Sequence, residues 1–235
     1  MKRLSILILV FAVLFFIFVI ALVFFNQPFV LYPLMSLQDA FDVLTPLILI
    51  PIYFLLFRIE SKIPFSHSGF VLFLVFATFW VLGHGMHLSA NSINNLLGQK
   101  GAQTGDIYRL TYFFDEYLSH YLWHIGVVGL SALLIYRQWK NPFRKEKVVI
   151  LPIVVGGMIY GFSYFIIIME GNTAPLGIPF SVLVVLFIGI WARKKIGQQP
   201  LIEFSLVSYS LAMILFLVWG IIWEGLPPIL DVIKI

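Results

Sequence analysis

The chain has 235 residues, of which 61% are hydrophobic and only 11% charged, where a soluble domain carries about 25% charged residues. Its mean hydropathy is +1.00, so the sequence describes a single transmembrane domain over 1–235 with no separate soluble unit. The chain contains no cysteine, which excludes disulfides, thiolate metal ligands and a cysteine nucleophile.

Seven apolar runs, near 4–25, 39–57, 69–90, 113–136, 148–169, 176–192 and 204–226, each come close to the ~20 residues that cross a hydrocarbon core of about 30 Å. All are expected to be helices. A lipid-exposed backbone must satisfy its own hydrogen bonds, and the alternating pattern of a barrel is absent. The fold class is therefore all-α, a polytopic membrane protein. The first run follows Lys2 and Arg3, exceeds a signal-peptide core in length, lacks a small-x-small cleavage site and is expected to be retained.

Charge sets the expected orientation. With the N-terminus inside and the C-terminus outside, twelve of the fifteen basic residues fall in inner segments: Lys2, Arg3, Arg58, Lys62, Arg137, Lys140, Arg144, Lys145, Lys147 and Arg193 to Lys195. Only Lys100, Arg109 and Lys234 fall outside, the asymmetry expected of cytoplasmic loops. This bias accounts for the basic excess without a nucleic-acid partner, and a headgroup-binding basic loop is the alternative. A prokaryotic cytoplasmic membrane is the expected location. Of the acids, Glu60, Glu146 and Glu203 lie inside, while Asp39, Asp42, Asp106, Asp115, Glu116, Glu170, Glu224 and Asp231 lie at or beyond the outer ends of spans. An ionisable group inside a span is costly and marks a functional candidate. Asp42 and Glu224 are possible additional acids, although Asp42, four residues before Pro46, could equally cap its helix.

Four of five histidines lie on spans three and four. His84 and His87 share a helical face with Asn91, and Glu116, His120 and His124 share another. Counting a rise of 1.5 Å per residue, His84 and His87 lie at about 22 and 27 Å, and His124, His120 and Glu116 at about 18, 24 and 30 Å. An antiparallel pair joined by a loop of about twenty residues then brings His87 opposite His120, with Asn91 near Glu116. Four imidazoles and a carboxylate suit zinc or, alternatively, non-haem iron. His84, His87, His120 and His124 are the expected ligands, and Glu116 or Asp115 a further ligand or general base. Asn91, Ser119 and Tyr112 would orient the imidazoles, and Gly83 and Gly85 would admit a neighbouring helix or a substrate. An unliganded polar network and haem b bound between His84 and His124, or His87 and His120, remain alternatives. His67 reads as an interfacial group.

The pair His120-x-x-x-His124, with nearby acids and serines in a seven-span bundle, resembles the superfamily of alkaline ceramidases and adiponectin receptors. That resemblance implies an intramembrane zinc held by three histidines and a zinc-bound water that hydrolyses a lipid amide. The ligands here would come from spans three and four, where that family uses its last span. The histidine boxes of membrane hydroxylases and desaturases are a second likeness. The expectation is thus a metal-dependent membrane hydrolase acting in lipid metabolism, with membrane lipids as partners. A haem- or iron-binding redox protein and a proton- or cation-coupled transporter using Asp42, Glu116, His120 and Glu224 are the alternatives.

Overall fold

The computed structural model describes residues 2–20, 25, 27–59, 66–143 and 148–232. Helix α1 (Lys2–Val19) leads to a hairpin of β1 (Pro28–Phe29) and β2 (Tyr32–Ser36), then to α2 (Leu37–Ile59) and α3 (His67–Gln99). Helix α4 (Asp106–Tyr112) runs on through a π-helical segment, Phe113–Ser119, into α5 (His120–Lys140). Then follow α6 (Ile150–Glu170), α7 (Ala174–Ile190), a 3-10 turn at Arg193–Lys195, α8 (Pro200–Ile222) and α9 (Ile229–Val232). The protein is an all-α polytopic membrane protein apart from the short hairpin, and among the described residues six helices are long and apolar enough to span a bilayer.

The sixth expected span, 176–192, differs. Helix α7 has 17 residues, a rise of about 25 Å against a core of about 30 Å. The loop expected between spans three and four is also shorter than about twenty residues. No proline interrupts α3, which continues through Asn91–Asn95 to Gln99, because hydrogen-bonding partners on α2 and the π segment hold its polar last turns. Lys62, Arg144, Lys145, Lys147, Lys234, Glu60 and Glu146, used in assigning orientation, lie outside the described residues.

Small residues set the helix pairing. Helices α3 and α5 cross where a Cβ on Gly126 would lie 2.7 Å from the Phe76 carbonyl oxygen and one on Gly129 would enter the Phe76 ring. On α6, Gly161 meets the backbone of Ser208 on α8, and Gly156 faces α1. The buried face of α1 is Leu4, Ile8, Phe11, Ala12 and Phe15, spaced so that one stripe turns inward. At the bundle centre the hydroxyls of Tyr53, Ser131 and Tyr160 bond one another at 3.1 to 3.2 Å, so these buried polar groups satisfy themselves without water.

The bundle has two chemically distinct ends. At one, Asp39, Asp42, Asp115 and Glu170 come together with the asparagines of α3. At the other, Arg137, Lys140 and Lys195 sit among aromatic rings. With the N-terminus inside, a cysteine replacing exposed Gln103 is expected to react with an impermeant reagent in intact cells, and one replacing exposed Gln198 only after permeabilisation. The reverse pattern inverts the orientation. Gln138 does not serve as the inner label site. It is fully buried, and its side-chain oxygen accepts from the N–H groups of Leu201 and Ile202 at the start of α8.

Candidate functional site

Helix α2 starts with a reciprocal cap: Ser36 N–H donates to Asp39 Oδ2 and Asp39 N–H to Ser36 Oγ, satisfying two of the orphan donors of a helix N-terminus. Asp42 is therefore not the cap. One turn further in, its Oδ2 lies 2.7 Å from His87 Nδ1. Pro46 has no N–H to offer the Asp42 carbonyl, and next to it Thr45 Oγ1 donates to Phe41 and Phe18 carbonyls.

His87 stands between two carboxylates. Its Nε2 faces Asp115 Oδ1 at 3.7 Å, too far for a hydrogen bond. Asp115 is 2% exposed, and its Oδ2 accepts from Asn94. The π-helical turn that carries Asp115 is widened by one residue relative to an α-helix, a distortion that recurs at functional sites. Ser119 bonds the Asp115 carbonyl within this segment; it serves the backbone and touches no imidazole in this way. Asn91 and Ser92 donate to Asp39, so Asn91 meets Asp39 rather than Glu116.

The other imidazoles line up beside His87. His120 lies 5.2 Å from it, ring centre to ring centre, and His124 stacks at 6.0 Å from His120. His120 Nδ1 bonds the Glu116 carbonyl, and His124 Nδ1 lies 2.6 Å from Thr173 Oγ1, at the N-cap of α7. Buried His84 sits between Trp80 and Trp123. Gly171 allows the end of α6 to press on this row, since a Cβ there would be 2.6 Å from His124 Cε1. A cleft of about 130 Å³ opens beside the row, lined by Asp42, His84, His87, His120 and Glu170 together with the apolar Phe18, Ile20, Ile166 and Ile167.

Several expected site residues lie elsewhere. Tyr112 is 41% exposed and contacts the Tyr108 and Tyr117 rings. Glu224 is exposed in the turn after α8, with φ of 50°. Glu116 is half-buried and enters through its backbone carbonyl, so of these two neighbours it is Asp115 whose carboxylate faces an imidazole, beside the closer Asp42. Asp39 and Thr173 join the site although the sequence marks them only by a place at a helix end; Asn94, on the helical face of His84 and His87, and Glu170, which the sequence divides evenly between the polar mouth and water, also lie here.

Among the described residues, no three histidine or acid side chains are arranged to hold an ion. The imidazoles form a row, and Nδ1 of His87, His120 and His124 each turns to a different partner. The ring spacing of 5.2 Å between His87 and His120 leaves no room for haem b between them. Polar atoms nevertheless remain buried without partners among the described residues: His84 Nδ1, His124 Nε2, Asn94 Oδ1 and Asp115 Oδ1.

No family model matches the chain, and no solved structure does. The chain is similar to ceroid-lipofuscinosis neuronal protein 6 homolog of Canis lupus familiaris, 24% identical over 209 residues, covering 81% of this chain and 64% of the relative. It is likewise similar to ceroid-lipofuscinosis neuronal protein 6 of Homo sapiens, 26% identical over 215 residues with the same coverage. The chain thus spans about 64% of the length of these curated relatives. The similarity overturns the resemblance to alkaline ceramidases and adiponectin receptors, whose three-histidine zinc set the imidazole row also fails to reproduce. Both relatives are mammalian and lend no support to a prokaryotic membrane; what the apolar helices and the similarity together establish is an integral membrane protein.

Proposed function

We propose that the protein is an intramembrane enzyme that moves a proton on a lipid or other hydrophobic molecule, most simply in hydrolysis, with the Asp42–His87 pair as its base. The observation that carries this is the 2.7 Å contact between Asp42 Oδ2 and His87 Nδ1 at the wall of the cleft. A carboxylate on Nδ1 fixes the tautomer and leaves Nε2 as the proton acceptor, and it stabilises the imidazolium that results. In hydrolysis His87 Nε2 would take a proton from water, the hydroxide would add to an ester or amide carbonyl carbon, and the leaving alcohol or amine would receive the proton. The apolar lining residues of the cleft, Phe18, Ile20, Ile166 and Ile167, support a hydrophobic substrate. The relatives' names state no reaction, substrate or metal.

The test is incubation of the purified full chain in nanodiscs with a total lipid extract, followed by mass spectrometry. Loss of one lipid class with the wild type, and not with His87→Gln, is the expected result. No conversion, together with proton flux into proteoliposomes that depends on Asp42 and His87, replaces the enzyme by a transporter.

The unpartnered buried nitrogens of His84 and His124 favour a second, metal-dependent form of the same reading, with zinc or iron on the histidines after side-chain rotation. Such an ion would lower the pKa of a bound water. Protein purified without chelator is expected to carry about one metal ion, lost in His84→Ala and kept in His67→Ala. Wild-type protein that is metal-free and active removes this form and leaves the base alone.

A further inference from the structure

The opposite end of the bundle carries a separate arrangement that the acid–imidazole site does not use. Trp139, on the last turn of α5, receives two ammonium groups: Lys140 Nζ lies 4.9 Å and Lys195 Nζ 5.5 Å from its ring centre. Lys140 also lies 5.8 Å from the Tyr136 ring, and Lys195 donates to the Trp139 backbone carbonyl. Each cation is attracted by the ring's quadrupole, but the two repel each other. Neither is paired with a carboxylate among the described residues. Glu203, the nearest described acid in sequence, accepts from the Gly197 N–H at 2.7 Å. Burial, and then the charge of Lys140, lower the pKa of Lys195, the direction expected of a cation without a counter-ion.

We propose that Lys140 and Lys195, held on the Trp139 indole, bind the phosphate of an anionic phospholipid headgroup. The flanking surface selects a lipid over a free anion. Tyr136 and Trp191 are 55% and 63% exposed, and Phe187 joins the Trp139 and Trp191 rings. Beside the two ammoniums there is thus an aromatic surface for the glycerol and upper acyl region, as in interfacial belts. Basic groups between helices at a membrane surface are a recurrent headgroup site.

The test uses the full-length chain in neutral detergent, with thermal unfolding read against added dioleoyl phosphatidylglycerol, dioleoyl phosphatidylcholine or inorganic phosphate. Phosphatidylglycerol is expected to stabilise the wild type, and the other two to leave the midpoint unchanged. At about fivefold per lysine, Lys140→Gln with Lys195→Gln should raise the half-saturating phosphatidylglycerol concentration about twenty-fivefold. Arg193→Gln with Lys194→Gln, which removes the same charge without touching Trp139, should raise it by a smaller factor. Equal loss in both double variants overturns the site in favour of diffuse surface charge. Equal stabilisation by phosphatidylcholine or by inorganic phosphate overturns the anionic-lipid assignment.

Discussion

His87→Gln is expected to lower turnover by about 10²–10⁴-fold, the usual contribution of a positioned acid–base group, while leaving the bundle folded. Glutamine retains polar contact with Asp42 Oδ2 but has no nitrogen that can accept a proton at pH 7. Asp42→Asn keeps the shape of the pair and removes its charge, so the imidazole loses both its fixed tautomer and the partner for its protonated form. Its turnover should fall nearly as far, and the double variant should fall little further than the worse single one, since groups acting as a unit are not additive. Asp42→Ala is a poorer test. It leaves a part-buried imidazole beside a hole, and breaking such a pair costs about 3–5 kcal/mol when the partner is buried. Asp115→Asn separates the two carboxylates. Asp115 makes no hydrogen bond to His87 at 3.7 Å, so its loss should change turnover by less than that of Asp42. If Asp115→Asn is the more damaging, the proton passes through Asp115, and the Asp42 contact is only structural.

The acid–imidazole site was partly legible because helices impose periodicity on depth. Counting residues along two antiparallel spans brings His87 to the level of His120, and their rings stand 5.2 Å apart. Depth alone does not say which way a ring turns, and that is why four histidines on matched levels suggested one shared ion. In the folded chain Thr173, from the turn before α7, takes His124 Nδ1, while Asp42 from α2 takes His87 Nδ1. Neither contact is written in the local spacing, because each joins segments about fifty residues apart. The choice between Asp115 and Glu116 had the same origin. On a regular helix the two differ by 100° around the axis, and the π-helical turn alters that phase, burying Asp115 and leaving Glu116 half-exposed. Each of the seven apolar runs contains a helix, whereas α4, α9 and the hairpin, which carry no long apolar run, were not legible. Nor were the helix ends, since hydropathy falls at Asn91 although the helix continues to Gln99.

Gly83 and Gly85 flank His84 and look equivalent in sequence, yet their alanine variants are expected to behave oppositely. A Cβ on Gly83 would lie 2.5 Å from the Trp123 backbone nitrogen and 2.7 Å from both the Ser119 carbonyl oxygen and Trp123 Cβ. Two of these three atoms are backbone, so no side-chain rotation relieves the clash, and α3 and α5 must move apart. Overpacking of this kind costs about 1–3 kcal/mol, sometimes more, and should lower the melting temperature in detergent by about 5–10 °C. The separation also carries His84 and His87 away from His120 and His124, because all four ride on these two helices. Turnover should therefore fall in Gly83→Ala, with every polar group of the cleft still present. A Cβ on Gly85 meets nothing within 4 Å. Alanine there removes the conformational freedom of an exposed helical glycine, a gain of up to about 1 kcal/mol, and should leave turnover unchanged. Thermal unfolding of both variants beside the wild type decides the matter: equal melting temperatures would mean that α3 and α5 do not meet at Gly83, and the alignment of the imidazole row would lose its structural cause.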